Sequence, residues 1–125
     1  MKENEMIELE LIDILNRKSQ TDIALMALLR EKGGVRSLPV LMGPVEAQGL
    51  AATLHKFKAG RPSVFDLYAN TLQHFDCIID RVEIYRIEGG VFYSHIFLER
   101  EGCMTFVDSR TSDAVTLALG AGAPI

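Results

Sequence analysis

The sequence has little cysteine, little proline, no tryptophan and no excess of positive charge. Cys77 and Cys103 are its 2 cysteines; they form no CxxC pair and no cluster with metal-ligand spacing. That excludes a thiolate zinc site and leaves at most one disulfide, with two reduced, mostly buried thiols as the expected state. With 4 prolines and 48% hydrophobic residues, the chain is globular rather than disordered. Thirteen Lys and Arg against 17 Asp and Glu give a formal charge of -4. This balance argues against gripping duplex nucleic acid through many phosphates. A small basic patch or a cation-bridged contact stays open.

The longest apolar stretch, Ile23–Leu29, is far too short to cross a bilayer. The opening MKENEMIELE is too acidic for a signal peptide. A soluble, cytoplasmic protein without a membrane partner is expected. The HExxH zinc helix, the GxSxG elbow, the phosphate-binding loop and GxGxxG are all absent, so the glycines read as turns. A length of 125 residues fits one domain, 1–125, around one core.

What is present is strong patterning. Residues 6–15 alternate Ile7, Leu9 and Leu11 with Glu8 and Glu10, a half-buried strand, and the alternation slips near Ile12 as at a bulge. Residues 16–20 read as a polar turn. Residues 21–32 fit either a helix capped by Thr21 and ended by Gly33 or a buried strand. The Gly33-Gly34 pair before residues 35–42 favours a hairpin. A helix is expected over 43–57, with Pro44 in its first turn and Ala47, Leu50, Ala51 and Leu54 on one face. After the linker 58–62, a second helix over 63–75 carries a Leu67, Thr71, Leu72 and Phe75 stripe behind a Ser63 cap. Strands over 77–88, 91–100 and 103–108 then lead to a helix over about 112–121.

The halves echo each other. Each runs strand, strand, strand, helix with a Gly-Gly-Val turn inside it, and Glu46-Ala47-x-x-Leu50-Ala51 matches Asp113-Ala114-x-x-Leu117-Ala118. The expected fold is α+β: two β-β-β-α-like halves, a mixed or antiparallel sheet, and helices packed on it.

Three segments carry a resemblance: LPVLMGPVEAQGLAATL (38–54), RPSVFDLYANTL (61–72) and VDSRTSDAVTLALGAGAPI (107–125). Their order and spacing resemble the bifunctional nuclease (BFN) domain family across essentially the whole chain. The resemblance implies nuclease activity on RNA and DNA, and a further C-terminal strand or tail beyond Ile125. Thr111 replaces the family's usual proline. Phe65 stands where the family often has histidine before Asp66, so a proton shuttle there is missing.

A metal-dependent nuclease needs carboxylates that hold a cation, here Mg²⁺ or Mn²⁺. Asp108, at a strand end, and Asp113, in a helix's first turn, could converge, and Glu46 at the matching helix start could be a third ligand. The plainer reading is that acids at helix starts satisfy free N–H groups and the helix dipole. Ser109, Thr111 and Ser112 fit the same plain reading as caps. Both readings stay open.

Arg110 could clamp a phosphate or pair with Asp108 or Asp113. Asp66 matches a family aspartate and is a weaker catalytic candidate. Lys56 and Arg61, in the most basic stretch, are candidate contacts to single-stranded nucleic acid, as are Ser109 and Ser112. The bland reading of the basic stretch is a solvated helix end. The competing function is a non-catalytic oligomeric scaffold or regulator that binds a small anion or a protein partner. High apolar content and an incomplete sheet edge point to a homo-oligomer, a dimer in the first instance.

Overall fold

The computed structural model describes residues 5–18 and 23–125. The first half comprises β1 (Leu9–Lys18), β2 (Ile23–Glu31), β3 (Ser37–Met42) and the helix α1 (Pro44–Leu54). A second helix, α2 (Val64–His74), follows. The second half comprises β4 (Cys77–Glu88), β5 (Val91–Arg100), β6 (Cys103–Arg110) and α3 (Thr111–Ala121). The strands form two three-stranded sheets, β1-β2-β3 and β4-β5-β6, and every pairing is antiparallel. The architecture is α+β with two β-β-β-α halves.

Residues 23–31 resolve as a strand. Ala27 and Leu29, two apart, are fully buried, which is the period of a strand with one face on a core. The register shifts between Leu11 and Asp13, so the bulge falls at Ile12. Residues 16–18 are not a turn: Asn16, Arg17 and Lys18 pair with Leu25, Ala24 and Ile23. A strand at a sheet edge tolerates polar residues, so polarity alone misled there. The rest of that expected turn, and Thr21 as a helix cap, lie outside the described residues.

The core is organised by α3, which is apolar nearly all round and is clasped between the sheets. Val115 meets Ala27, Leu29, Val40 and Leu50 of the first half. Ala114, Leu117 and Ala118 meet Val82, Ile96 and Leu98 of the second. The α1 stripe is as expected, with Ala47 and Leu50 buried. The α2 stripe is not. Its inward face is Phe65, Tyr68 and Leu72, while Leu67 and Phe75 are exposed. This helix covers only one side of the second sheet and buries no residue fully, so its apolar count carries no orientation.

Gly122 takes a left-handed φ of 69° and ends α3. The tail then ties the sheets together: Val82 N donates to the Pro124 carbonyl at 2.9 Å and Leu9 N to that of Ile125 at 2.8 Å. Cys77 is half-buried, and Cys103 is exposed rather than buried; both are free. They sit on β4 and β6 with Arg100 of β5 between them. Two strand spacings separate their backbones by about 10 Å, too far for a disulfide. Among the described residues, no helix is long and apolar enough to cross a membrane.

Candidate functional site

All three helices carry an acid three residues after the N-cap: Glu46 after Gly43, Asp66 after Ser63 and Asp113 after Arg110. Of the three, Asp66 alone pairs reciprocally with its N-cap residue. It closes a capping box, accepting from Ser63 N at 2.9 Å while Asp66 N donates to Ser63 Oγ at 3.1 Å. Neither Gly43 nor Arg110 supplies a side-chain cap.

The other two acids turn to one guanidinium. Arg110 Nε donates to Asp113 Oδ2 at 2.8 Å and Nη2 to Asp113 Oδ1 at 3.1 Å. Arg110 Nη1 donates to Glu46 Oε1 at 2.9 Å. The last bond spans the two halves and joins equivalent positions of α1 and α3. Gly43 makes room for it: a Cβ there would stand 2.6 Å from Glu46 Oε2. Its own backbone N–H, then the Arg110 guanidinium, hold the Glu46 carboxyl below its usual value. Asp113 first and Glu46 second raise Arg110 above its ordinary value, so its charge is permanent. The Arg110 side chain is still 65% exposed.

Two cavities flank Arg110. The larger, about 710 Å³, is lined by Asp108, Ser109, Arg110 and Asp113 on its polar side, and by Val64, Phe65 and Tyr68 of α2 on the other. The smaller, about 320 Å³, holds Glu46 with Thr111 and Ser112. The β6–α3 junction therefore presents a cation and carboxylates beside an apolar, partly aromatic wall.

The candidate residues separate accordingly. Glu46, Arg110 and Asp113 are bonded together. Asp108 is exposed on β6, opposite His95 of β5, and reaches the same cavity without joining that triad. Among the described residues, no three His, Cys, Asp or Glu side chains are grouped so as to hold a metal ion. Ser109 lines the cavity and its Oγ donates to the Arg110 carbonyl at 2.9 Å. Ser112 and Thr111 are buried and do not cap α3, because the N-cap position falls on Arg110 and places them inside the first turn. Asp66, Lys56 and Arg61 line neither cavity. Lys56 follows α1 at the end opposite Glu46, about 15 Å away at the helical rise per residue.

Three features escaped the sequence. Tyr68 lines the larger cavity, and burial raises its hydroxyl pKa. Phe65 fits against Gly49 of α1, where a Cβ would lie 2.8 Å from its ring. Ser94 and Thr111 share a buried hydroxyl–hydroxyl bond between β5 and the start of α3. Tyr68 and Phe65 had one available signal, their three-residue spacing on α2; Ser94 had none.

Two uncharacterized proteins of Mycobacterium tuberculosis, from strains CDC 1551 / Oshkosh and H37Rv, are each 33% identical to this chain over 98 residues. The match covers 78% of this chain, which spans 58% of the length of each relative. The family model described as the bifunctional nuclease domain matches residues 27–125, including both helix starts and the Arg110 junction. The chain therefore belongs to the bifunctional nuclease domain family.

Proposed function

We propose that the chain is a nuclease-type domain that takes the phosphodiester of single-stranded RNA or DNA at the β6–α3 junction. The observation that carries this reading is the meeting of Glu46 and Asp113, from the two halves, on Arg110 at the lip of the larger cavity. Three of the five guanidinium N–H groups are engaged there, and two remain for phosphate oxygens. Phe65 and Tyr68 offer an apolar wall to the base or sugar. Asp108, exposed beside them, would take the proton of the attacking water. Water adds to phosphorus, the ester P–O bond breaks, and the leaving oxygen is protonated from solvent.

A divalent cation would have two of the three carboxylates expected to hold one, and would take them from the Arg110 guanidinium they hold now. Glu46 and Asp113 already converge on a positive centre, the guanidinium, and two carboxylates with water and phosphate oxygens suffice for Mg²⁺. Asp108 stands outside that pair. Bound there, Mg²⁺ or Mn²⁺ would polarise the phosphate and lower the pKa of a water.

A second reading is favoured by the same bonds: with both carboxylates satisfied by Arg110, the domain binds a small anion or a protein without cleaving anything. One assay separates them. Protein freed of contaminating nuclease should cut single-stranded nucleic acid only with Mg²⁺ or Mn²⁺, and Asp113→Asn should abolish the cutting. Cutting by Asp113→Asn at the wild-type rate would refute the nuclease reading. No cutting, with inorganic phosphate binding that is lost in Arg110→Ala, would establish the second.

A further inference from the structure

The four edge strands are not equally protected. Edge strands expose unpaired backbone groups, and natural sheets blunt them with bulges, proline, lysine, short length or a covering segment. β1 has its bulge at Ile12, and Leu9 N is held by the Ile125 carbonyl. β3 has only six residues and contains Pro39. β4 has register shifts at 79/81 and 84/86, and Val82 N is held by the Pro124 carbonyl. β6 has none of these. It runs eight residues in unbroken register with β5, without proline or lysine, and Cys103 to Asp108 are all exposed. Met104 is 48% and Phe106 is 54% exposed.

We infer that β6 is the site of homodimerisation: a second copy pairs its own β6 antiparallel to this one and turns two three-stranded sheets into one of six strands. The occupant must be a strand, because what β6 leaves open is a row of backbone donors and acceptors. Its own copy suits it on charge. Cys103 to Val107 is an uncharged run, and the charged residues Asp108 and Arg110 stand beyond it. Pairing centred on Thr105 sets uncharged residues opposite uncharged residues and carries the charged ends clear of each other. Met104 of each copy then faces the partner's Phe106, a cross-strand pair of the stabilising kind. The start of the partner's strand comes alongside Val107 and Asp108, which line the larger cavity, so each copy helps wall the other's site.

The pairing is independent of the nuclease reading. Sedimentation and light scattering at about ten micromolar should give a dimer. Phe106→Lys, which places a charge at the centre of the seam, should raise the dissociation constant about a hundredfold or more. Leu41→Lys, on the exposed face of β3, should leave it unchanged. Hydrogen exchange on the unaltered protein serves even if Phe106→Lys does not fold. Amides within 103–108 should be protected at high concentration and released on dilution. A monomer at one hundred micromolar, a dimer undisturbed by Phe106→Lys in a folded variant, or exchange at 103–108 independent of concentration would each overturn the proposal. So would protection there only when an extended peptide from another protein is added.

Discussion

The helices α1 and α3 begin alike and end in different surroundings. Both follow three antiparallel strands, and both place an acid three residues past the N-cap. Yet α3 buries seven of its residues, from Thr111 to Ala118, and contributes to both core clusters, whereas α1 buries Ala47 and Leu50 alone. A repeated motif thus gives one helix that organises the core and one that closes its side. The two acids stay on a common footing because both are drawn to Arg110, where the halves touch through charge. The matching helix starts supply the two carboxylates; the arginine, present in one half only, makes them a single group.

The sharpest way to break this comparison is to delete equivalent bulk from the two helices. Leu117→Ala in α3 should cost about 2–5 kcal/mol in chemical denaturation, and Leu54→Ala in α1, half-buried, clearly less. Equal costs would remove the asymmetry. Next in size, Thr111→Val leaves Ser94 without its buried partner and should cost about 1–3 kcal/mol, whereas adding Ser94→Ala should recover part of that loss. A Ser63→Ala change opens the α2 capping box and should cost about 1 kcal/mol while the proposed nuclease activity is unaffected. Lost activity would return Asp66 to the site.

The smallest effect concerns acidity. The folded-state pKa of Glu46 is lowered, so its contribution is complete above the ordinary glutamate value of about 4.3 and is lost as pH falls through the lower folded value. Thermal melts from pH 6 to pH 3 should therefore lose less stability in Glu46→Gln than in the unaltered protein. Identical slopes would mean that the link between halves has no energetic role.

Much of the fold was legible because it obeys simple periods. The Gly89-Gly90 turn, the alternation at the start of β1 and the α1 stripe each had one consistent reading. Failures came where two patterns coexist. Residues 16–18 are polar yet belong to an edge strand, and α2 has apolar residues on both faces, so Phe65–Tyr68–Leu72 could not be told from Leu67–Phe75. At the site, the sequence supplied Glu46, Arg110 and Asp113 and offered the Arg110–Asp113 pair, but not the bond to Glu46. Glu46 and Arg110 lie 64 positions apart, and only folding reveals that contact. Nor could it separate Asp66, which caps its helix, from Asp113, which occupies the same helical position and does not.

The central claim is that Glu46 and Asp113 act as one pair on one positive centre. Cleavage rates of a single-stranded oligonucleotide with Mn²⁺ should be measured for the unaltered protein, Glu46→Gln, Asp113→Asn and the double variant. The account expects each single change to remove nearly all activity and the double change to remove no more. Two independent, multiplying losses, or full activity in either single variant, would contradict it.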